Sequence, residues 1–530
     1  MEIKIEQPTY PAMFAGIGFH NSESGTYRLL SDRFFNEKIC KCYREISPGF
    51  MRCFGGFSDW SKEAMDDFAE YYEKMQAVTD TPIYMVPGRG KVHFSDAEIE
   101  DYCNQVAEKL SYLINVKKVK HLAYYCFSNE LGQVTMGRLT SRLPLFGQYQ
   151  EQLYRAFQNH GLNIGLLSTD ASGDWSSIDW AMQNIDIYTK DYCGHYYENS
   201  HTPDDTSFYN DWYERCKAYT HKASRKDKHF ILGEYGITNA NLKILGASAS
   251  DACSFFENPD QNTELLGIMQ AEMIIGAVNA GVFALGFWTF CDYPDPVNGP
   301  SYCDDYMKMW SRYEPYMGGG INHRYNRWGL LPFENHFGET PRPVYWCIAP
   351  IVKYLKRNSQ ILEVQTDSEL VHACAIHTRN DRISIIVSSR LDNEEAVTIQ
   401  LPKSGKESFR VYRYLESNPP INQFGDLQAP SDTIMLNNSS LELTMPANSV
   451  AIITNDYEEK DHSVNAEIIS CDDTTLKWKP LTDKNHCYYR IFKVDNNIEN
   501  QIASTVACQC RVENSQAEYR VYSVDCYGNM

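Results

Sequence analysis

Two glutamates in this 530-residue chain stand where a carboxylate needs a reason. The stretch HLAYYCFSNE (121–130) is apolar and aromatic until it ends in Asn129 and Glu130, and HFILGE (229–234) ends in the same way on Glu234. A carboxylate at the end of a buried run is costly unless it is paired or used. Two of them facing one pocket suit the cleavage of a glycosidic bond: one protonates the departing oxygen, and the other attacks the anomeric carbon or activates water. Either glutamate alone reads equally well as a strand-end or turn residue. The chemistry depends on whether the fold brings the two together.

The elements that would do so can be read along the chain. Short apolar runs fall at MFAGIGF (13–19), FMRCFGGF (50–57), IYMVPG (83–88), HLAYYCF (121–127), NIGLLST (163–169), IDIYTKDY (185–192), HFILGEYG (229–236) and GVFALGFWTF (281–290). Between them lie amphipathic stretches such as SKEAMDDFAEYYEKMQAV (61–78) and SDAEIEDYCNQVAEKLSYLI (95–114), with apolar residues at three- and four-residue spacing and Ser95 as a polar cap. Runs buried on both faces and separated by helices imply a parallel sheet, and eight such units close into an α/β (β/α)8 TIM barrel with its active face at the C-terminal ends of the strands. Glu130 follows the fourth run and Glu234 ends the seventh, so both are expected on that face.

After PVYWCIAPIVKYLKRN (343–358) the pattern changes to alternating strands, as in RISIIVSS (382–389), EAVTIQLP (395–402), SFRVYRYL (408–415) and LELTMPANSVAIIT (441–454). This predicts an antiparallel sandwich. A charged segment, NDYEEKDH, then leads into TTLKWKP, CYYRIFKVD and AEYRVYSVDCYGN, which resemble strands of a fibronectin type III domain with Trp478 and Tyr519 in its core. The expected division is a barrel over 1–358, a β-sandwich over 359–457 and a fibronectin type III-like module over 461–530, the last acting as a spacer or docking surface.

Composition narrows the partners. A formal charge of -20 argues against a nucleic-acid backbone or an anionic membrane, which call for clustered Lys and Arg. The apolar run MIIGAVNAGVFALGFWTF (273–290) contains glycines and an Asn and is followed by Asp292, so it reads as a buried helix leading into a buried strand rather than a membrane span. The 17 cysteines show neither a regular framework nor a zinc-type cluster. Their odd number, and an opening MEIKIEQPTY without an apolar core segment, lead us to expect a cytoplasmic protein, or a secreted one if a signal has been removed. No metal or organic cofactor is expected.

On these residues the sequence resembles a clan-A glycoside hydrolase, and within the clan it is most similar to family thirty-nine, the family of β-xylosidases and α-L-iduronidases. The Asn129-Glu130 pair and Glu234 match the clan's acid/base and nucleophile positions. MRCFGGFSD (51–59), FWTFCD (287–292), RWGLL (327–331) with ETPRPVYW (339–346), and MPANSVAII (445–453) are similar to segments of the narrower family. The resemblance implies a retaining, exo-acting β-xylosidase-like enzyme working on an oligosaccharide or glycoside. Other clan-A activities (β-glucosidase, β-galactosidase, uronic-acid glycosidase or endo-glycanase) and a non-catalytic carbohydrate-binding protein stay open as alternatives.

The supporting residues follow from position and resemblance. Arg52, at the end of the second run, would hold Glu234 ionised through a charge-assisted hydrogen bond. Asn129 resembles the clan's amide donor to the sugar 2-hydroxyl. The clan's sixth-strand His-x-Tyr is met only at His195-Tyr196-Tyr197, several residues beyond the sixth run; Tyr197 would donate to Glu234 and His195 would contact sugar hydroxyls. Trp288 would floor the sugar subsite, and His20 and Asp292 belong to the active face by position. A uronic acid would call for a cation from Arg89, Lys91, Lys190 or Arg324; none of them is compelling, which keeps a neutral pentose or hexose ahead.

Overall fold

The computed structural model describes every residue except 26–29, 57–59, 88–94, 132–142, 199–204, 206, 238–263, 297–322, 327, 335–337, 403–405, 416–417, 460–463, 473 and 484. Eight strands close a barrel: Gly16–His20, Met51–Phe54, Ile83–Val86, Leu122–Tyr125, Gly165–Ala171, Asp191–Glu198, Phe230–Ile237 and Ala284–Phe287. All neighbours pair in parallel, including the closing pair of the last strand with the first. Phe50, Tyr84, Leu167, Cys193, Ile231 and Ala284 are among the residues that fill the interior, so the barrel is a packed core and its chemistry is confined to the rim.

The outer helices form where the apolar spacing places them. Lys62–Gln76 is capped by Ser61, whose hydroxyl accepts from the Ala64 amide. Asp96–Ser111 begins with a capping box, in which Ser95 and Glu98 satisfy each other's backbone donors. The helix Glu264–Asn279 is apolar around nearly its whole circumference because it is covered twice, by the barrel on one side and by the sandwich on the other. Its Glu272 accepts two bonds from Arg390 of the sandwich, at 2.8 and 2.6 Å, both side chains being buried. No helix among the described residues is long and apolar enough to cross a membrane.

The sixth strand lies later than the apolar run suggests. Asp186–Tyr188 forms a 3-10 turn with Ile187 exposed, and the strand starts only at Asp191. Asp191 is buried at the strand's N-terminal end, where it accepts from the Tyr124 hydroxyl and the His229 amide. The shift places His195 and Tyr197 on the strand itself.

A second departure concerns the chain's beginning. Glu2–Glu6 pairs with Glu363–Thr366 and Glu395–Gln400, and Met13–Phe14 pairs with Ser359–Ile361, so the first two strands of the chain belong to the sandwich sheets and not to the barrel. The sandwich comprises a four-stranded and a seven-stranded sheet around Ile3, Ile5, Ile385, Ile399 and Ile453. The last module is two three-stranded antiparallel sheets with Trp478 and Tyr519 buried between them, and the Tyr519 hydroxyl donates to the Asn514 carbonyl at 2.7 Å. The described cysteines form no disulfide.

This module is more than a spacer. Lys41, on the barrel helix Lys41–Ile46, lies fully buried 2.7 Å from Glu45 and 2.5 Å from Asp426 of the sandwich. From the last module Arg490 and Gln501 donate to the same Asp426 carboxylate at 3.0 and 2.6 Å, and the Tyr488 hydroxyl donates to Glu45 at 3.0 Å. Burial would raise the Asp426 carboxyl, but Lys41 and Arg490 outweigh it and hold it well below the usual carboxylate range. All three domains therefore meet on one desolvated charge cluster, in which removing one partner strands the others. Lys41→Ala is expected to cost roughly 3–5 kcal/mol of stability, read as a lowered denaturant midpoint. Truncation before residue 461 should lower the thermal midpoint of the remaining domains as well, and an unchanged midpoint would show that the module folds and sits independently.

Candidate active site

The centre of the barrel mouth is a guanidinium. Arg52, on the second strand, is 1% exposed and makes contacts in four directions. Its Nη1 donates to Glu234 Oε1 at 2.5 Å and lies 3.0 Å from His20 Nδ1. Its Nη2 donates to Asn129 Oδ1 at 2.5 Å and to Asp170 Oδ2 at 2.8 Å. The first, second, fourth, fifth and seventh strand ends thus converge on one side chain, and the planar fork of Arg is what allows a single residue to serve them all. The second oxygen of Glu234 accepts from the Tyr197 hydroxyl at 2.6 Å. Arg52 and Tyr197 each reach Glu234.

Glu130 reaches the same space from a loop that is pinned to the fifth strand. The buried Ser128 hydroxyl donates to the Thr169 carbonyl at 2.7 Å, and Leu131 forms a parallel bridge with Ala171. Between these anchors Glu130 is held at φ 52, a left-handed conformation that a non-glycine residue adopts only when its surroundings impose it. Its side chain keeps 22% exposure, whereas that of Glu234 keeps 5%. Glu130 is thus the carboxyl of the pair that solvent reaches more readily. With its oxygen on Arg52, the Asn129 amide presents its NH2 as a donor.

His195 differs from expectation. Its Nε2 lies 2.9 Å from Asp170 Oδ1, and its Nδ1 faces both glutamates, 3.4 Å from Glu234 Oε2 and 3.5 Å from Glu130 Oε1. Both ring nitrogens are therefore directed at carboxylates rather than at a sugar. The Trp175 indole donates to the His195 carbonyl at 2.8 Å and fixes the backbone. Asp170 Oδ1 also accepts from the Cys193 thiol at 2.9 Å. Gly233 makes room for this cluster: a methyl group there would stand 2.6 Å from Cys193 Sγ and 2.9 Å from Asp170 Oδ1.

Sequence reasoning missed Asp170 and Cys193. The available signal was Asp170 directly after the fifth run, a carboxylate at a strand end like Glu234.

Aromatic rings complete the mouth. Trp288, half-buried directly after the eighth strand, lies against His20 with ring centroids 4.2 Å apart and beside Phe54 at 5.9 Å. Trp328, from the RWGLL segment, meets Tyr197 edge-on at 6.0 Å. His20 is buried beneath Trp288 and bound to Arg52, so it supports the site from below.

Asp292 does not belong to this cluster. It is fully buried and accepts from both terminal nitrogens of Arg342, at 2.8 and 2.6 Å, and from the Gly329 amide, which locks the segment after the eighth strand to the start of the last barrel helix. Lys190 immediately precedes the sixth strand, at the N-terminal end of the barrel and away from the mouth. Arg89, Lys91 and the side chain of Arg324 lie outside the described residues.

Charge is nearly balanced in this buried space. Burial disfavours the imidazolium of His195, but Asp170 and Glu234 outweigh it and push its pKa up to about 10. Burial likewise opposes the Asp170 carboxylate, and His195 and Arg52 overcome it, holding Asp170 well below the usual range. His20 is kept neutral by burial and by Arg52. Burial, and then the charge of Glu130, raise the Glu234 carboxyl, while His195 and Arg52 restrain the rise. Two cations, Arg52 and His195, thus face the Asp170 carboxylate and the carboxyl of Glu234, whose charged form they favour against burial.

Among the described residues, Asp170 with Cys193 and His195, and Glu130 with His195 and Glu234, lie close enough together for their donor atoms to share an ion. Arg52 holds the other oxygen of Asp170 and of Glu234, and the Tyr197 hydroxyl donates to the Glu234 oxygen that faces His195. The arrangement fits a proton network better than a metal.

No family model and no curated protein matches this sequence. Solved structures do match its fold. The catalytic domain of a GH30 xylanase C from Talaromyces cellulolyticus superposes with a TM-score of 0.57 at 12% identity, covering 86% of this chain and 99% of that one. The GH51 arabinofuranosidase from Xanthomonas axonopodis pv. citri gives 0.56 at 12% identity, with 86% and 99% covered. A conserved exported protein from Bacteroides fragilis gives 0.58 at 11% identity, with 86% and 100% covered. The fold is therefore the barrel-plus-sandwich architecture that clan-A glycoside hydrolases adopt.

The pKa of His195 makes a stability prediction. Its folded value lies above the unfolded value of about 6.5, so the charged ring contributes fully below that pH and its contribution is lost as pH rises through about 10. The stability difference between wild type and His195→Gln falls off in strong acid, where the facing carboxylates protonate, and should reach its full value near pH 6.5. It should then shrink by at most about 1.4 kcal/mol per pH unit across that window, as measured by denaturant melts at stepped pH.

Proposed function

We propose that the chain is a retaining glycoside hydrolase in which Glu130 is the acid/base and Glu234 the nucleophile. The observation that carries this reading is the convergence of the pair: one oxygen of Glu130 and one of Glu234 lie no more than 4.8 Å apart, and both carboxyl groups face His195 Nδ1, at 3.5 and 3.4 Å. Carboxyl groups about 5–5.5 Å apart leave no room for an intervening water and suit double displacement, whereas inverting enzymes need about 6.5–9.5 Å.

In the first step Glu234, aimed by Arg52 and Tyr197, attacks the anomeric carbon as Glu130 passes its proton to the departing oxygen. In the second, Glu130 takes a proton from water, which attacks the same carbon and releases Glu234. In this reading the Asn129 amide, its oxygen held by Arg52, donates to the 2-hydroxyl, a contact that strengthens as charge develops on the ring. Trp288 offers an apolar face for the sugar.

Within this class we read the substrate as a neutral pentoside cleaved from a chain end, in the manner of the family-thirty-nine β-xylosidases that the motifs resemble. Two of the structural neighbours are named as a xylanase and an arabinofuranosidase, which supports a pentose.

Proton NMR of the first-formed sugar should show the configuration of the substrate, and a 2-fluoro glycoside should label Glu234. Glu234→Ala should lose turnover and regain it with azide through a product of inverted configuration. Glu130→Ala should keep activity on good leaving groups and give an azide product of retained configuration. Release of the opposite anomer first would mean an inverting site. Exchanged rescue products would exchange the two roles. Silence across a panel of aryl xylosides, glucosides, galactosides and arabinosides would favour a carbohydrate-binding protein instead.

A further inference from the structure

We propose that Asp170 is a positioning residue for this reaction: it orients His195 so that one Nδ1–H faces both glutamates and follows the negative charge as it moves between them. The inference rests on the hydrolase reading above and adds to it a role for two groups that do not contact the reacting bond.

The argument starts from charge accounting. On the hydrolase reading, before the first step the pair carries one negative charge, on Glu234, and one proton, on Glu130. Glycosylation breaks the bond from the anomeric carbon to the leaving oxygen, forms the bond to Glu234 and moves the proton of Glu130 to the leaving group, so the single charge now sits on Glu130. Deglycosylation reverses this: water oxygen bonds to carbon, the ester bond breaks, and the water proton returns to Glu130. The pair therefore holds one negative charge throughout, but the charge changes sites by several ångströms in a space that is largely shielded from water.

A fixed cation near only one glutamate would favour one state and penalise the other. Arg52 is such a cation for Glu234, which it contacts at 2.5 Å. His195 is not, because its Nδ1 is 3.4 Å from Glu234 and 3.5 Å from Glu130. That near-equality depends on the other side of the ring. Nε2 is held 2.9 Å from Asp170 Oδ1, and Asp170 is itself fixed by the Cys193 thiol and by Arg52.

The groups facing His195 come from every neighbouring strand end: His20, Arg52, Glu130, Asp170, Cys193 and Glu234. Of these, His20 and Cys193 are kept uncharged, the former by burial and Arg52 and the latter by burial and Asp170. Asp170 is thus the carboxylate that can keep the ring both charged and oriented at every stage, since Glu234 and Glu130 each lose their charge in turn.

Asp170→Asn keeps a hydrogen-bond acceptor and removes the charge. In the full chain, NMR titration of His195 should move from about 10 in the wild type toward or below the ordinary histidine range in the variant. Turnover should fall on the order of 10²-fold, the scale of losing one preorganised charged donor, both on a substrate limited by glycosylation and on an activated aryl glycoside limited by deglycosylation, with KM little changed. A loss confined to one step, or a His195 titration that Asp170→Asn does not move, would overturn the proposal.

If Asp170→Asn does not fold, His195→Gln tests the same two steps, and Gly233→Ala perturbs the pivot by pushing a methyl group into Cys193 and Asp170. Equal losses in both steps support the proposal, and an effect on one alone overturns it. A wild type that hydrolyses glycosides while His195 titrates in the ordinary range overturns the pivot and leaves the hydrolase reading intact. A wild type without turnover, whose His195 still titrates high and depends on Asp170, overturns the hydrolase reading and reduces Asp170 to a structural ion partner.

Discussion

The active end of this barrel depends on one buried guanidinium. Arg52 has almost no contact with water, and an ion in such a place is tolerated only if its donors are met. Its partners come from four other strand ends, so satisfying Arg52 and assembling the site are the same event. Without Arg52, Glu234 and Asp170 would be two carboxylates in a desolvated space with only His195 to balance them. Without the two carboxylates, Arg52 could not remain in the barrel. This mutual requirement holds the mouth to one geometry before any ligand arrives.

The same rule operates at a distance. Lys41 with Glu45 and Asp426, Arg390 with Glu272, and Arg342 with Asp292 are all buried pairs that join separate parts of the chain. Hydrophobic burial brings the three domains together without specifying their orientation, and these charged contacts admit only one. Substituting an apolar residue of similar volume for both partners at such a site is often neutral for stability. The effect of the Lys41 and Arg390 pairs on this molecule is therefore better described as fixing how the domains sit on one another. The Arg342 pair acts inside the barrel, where it anchors the segment after the eighth strand to the last barrel helix.

Sequence pattern alone located much of this. A barrel strand is buried on both faces, so it must be a short apolar run, and seven of the eight runs overlap closely with the observed strands. Sixth-strand placement failed because IDIY is as apolar as a strand yet turns back on itself with Ile187 exposed. The corrected strand begins with a buried aspartate, and a pattern reader counts that residue as a break. Arg52, Tyr197, Asn129 and both glutamates were legible because each is a polar residue at or just beyond a strand end. Asp292 was legible by the same rule and turned out to serve Arg342 instead.

What the sequence by itself determined is which residues are available at the rim, since strand periodicity and chain order place each of them at the C-terminal end of a known strand. What only the tertiary structure decided is whom each one meets. The partners of Asp170 are Arg52, Cys193 and His195, contributed by the second and sixth strands, and the space for them exists because Gly233 on the seventh has no side chain. These contacts are set by the closure and stagger of the barrel, which no local pattern encodes, and a charge inside a low-dielectric space takes its protonation state from the charges around it rather than from its own residue type.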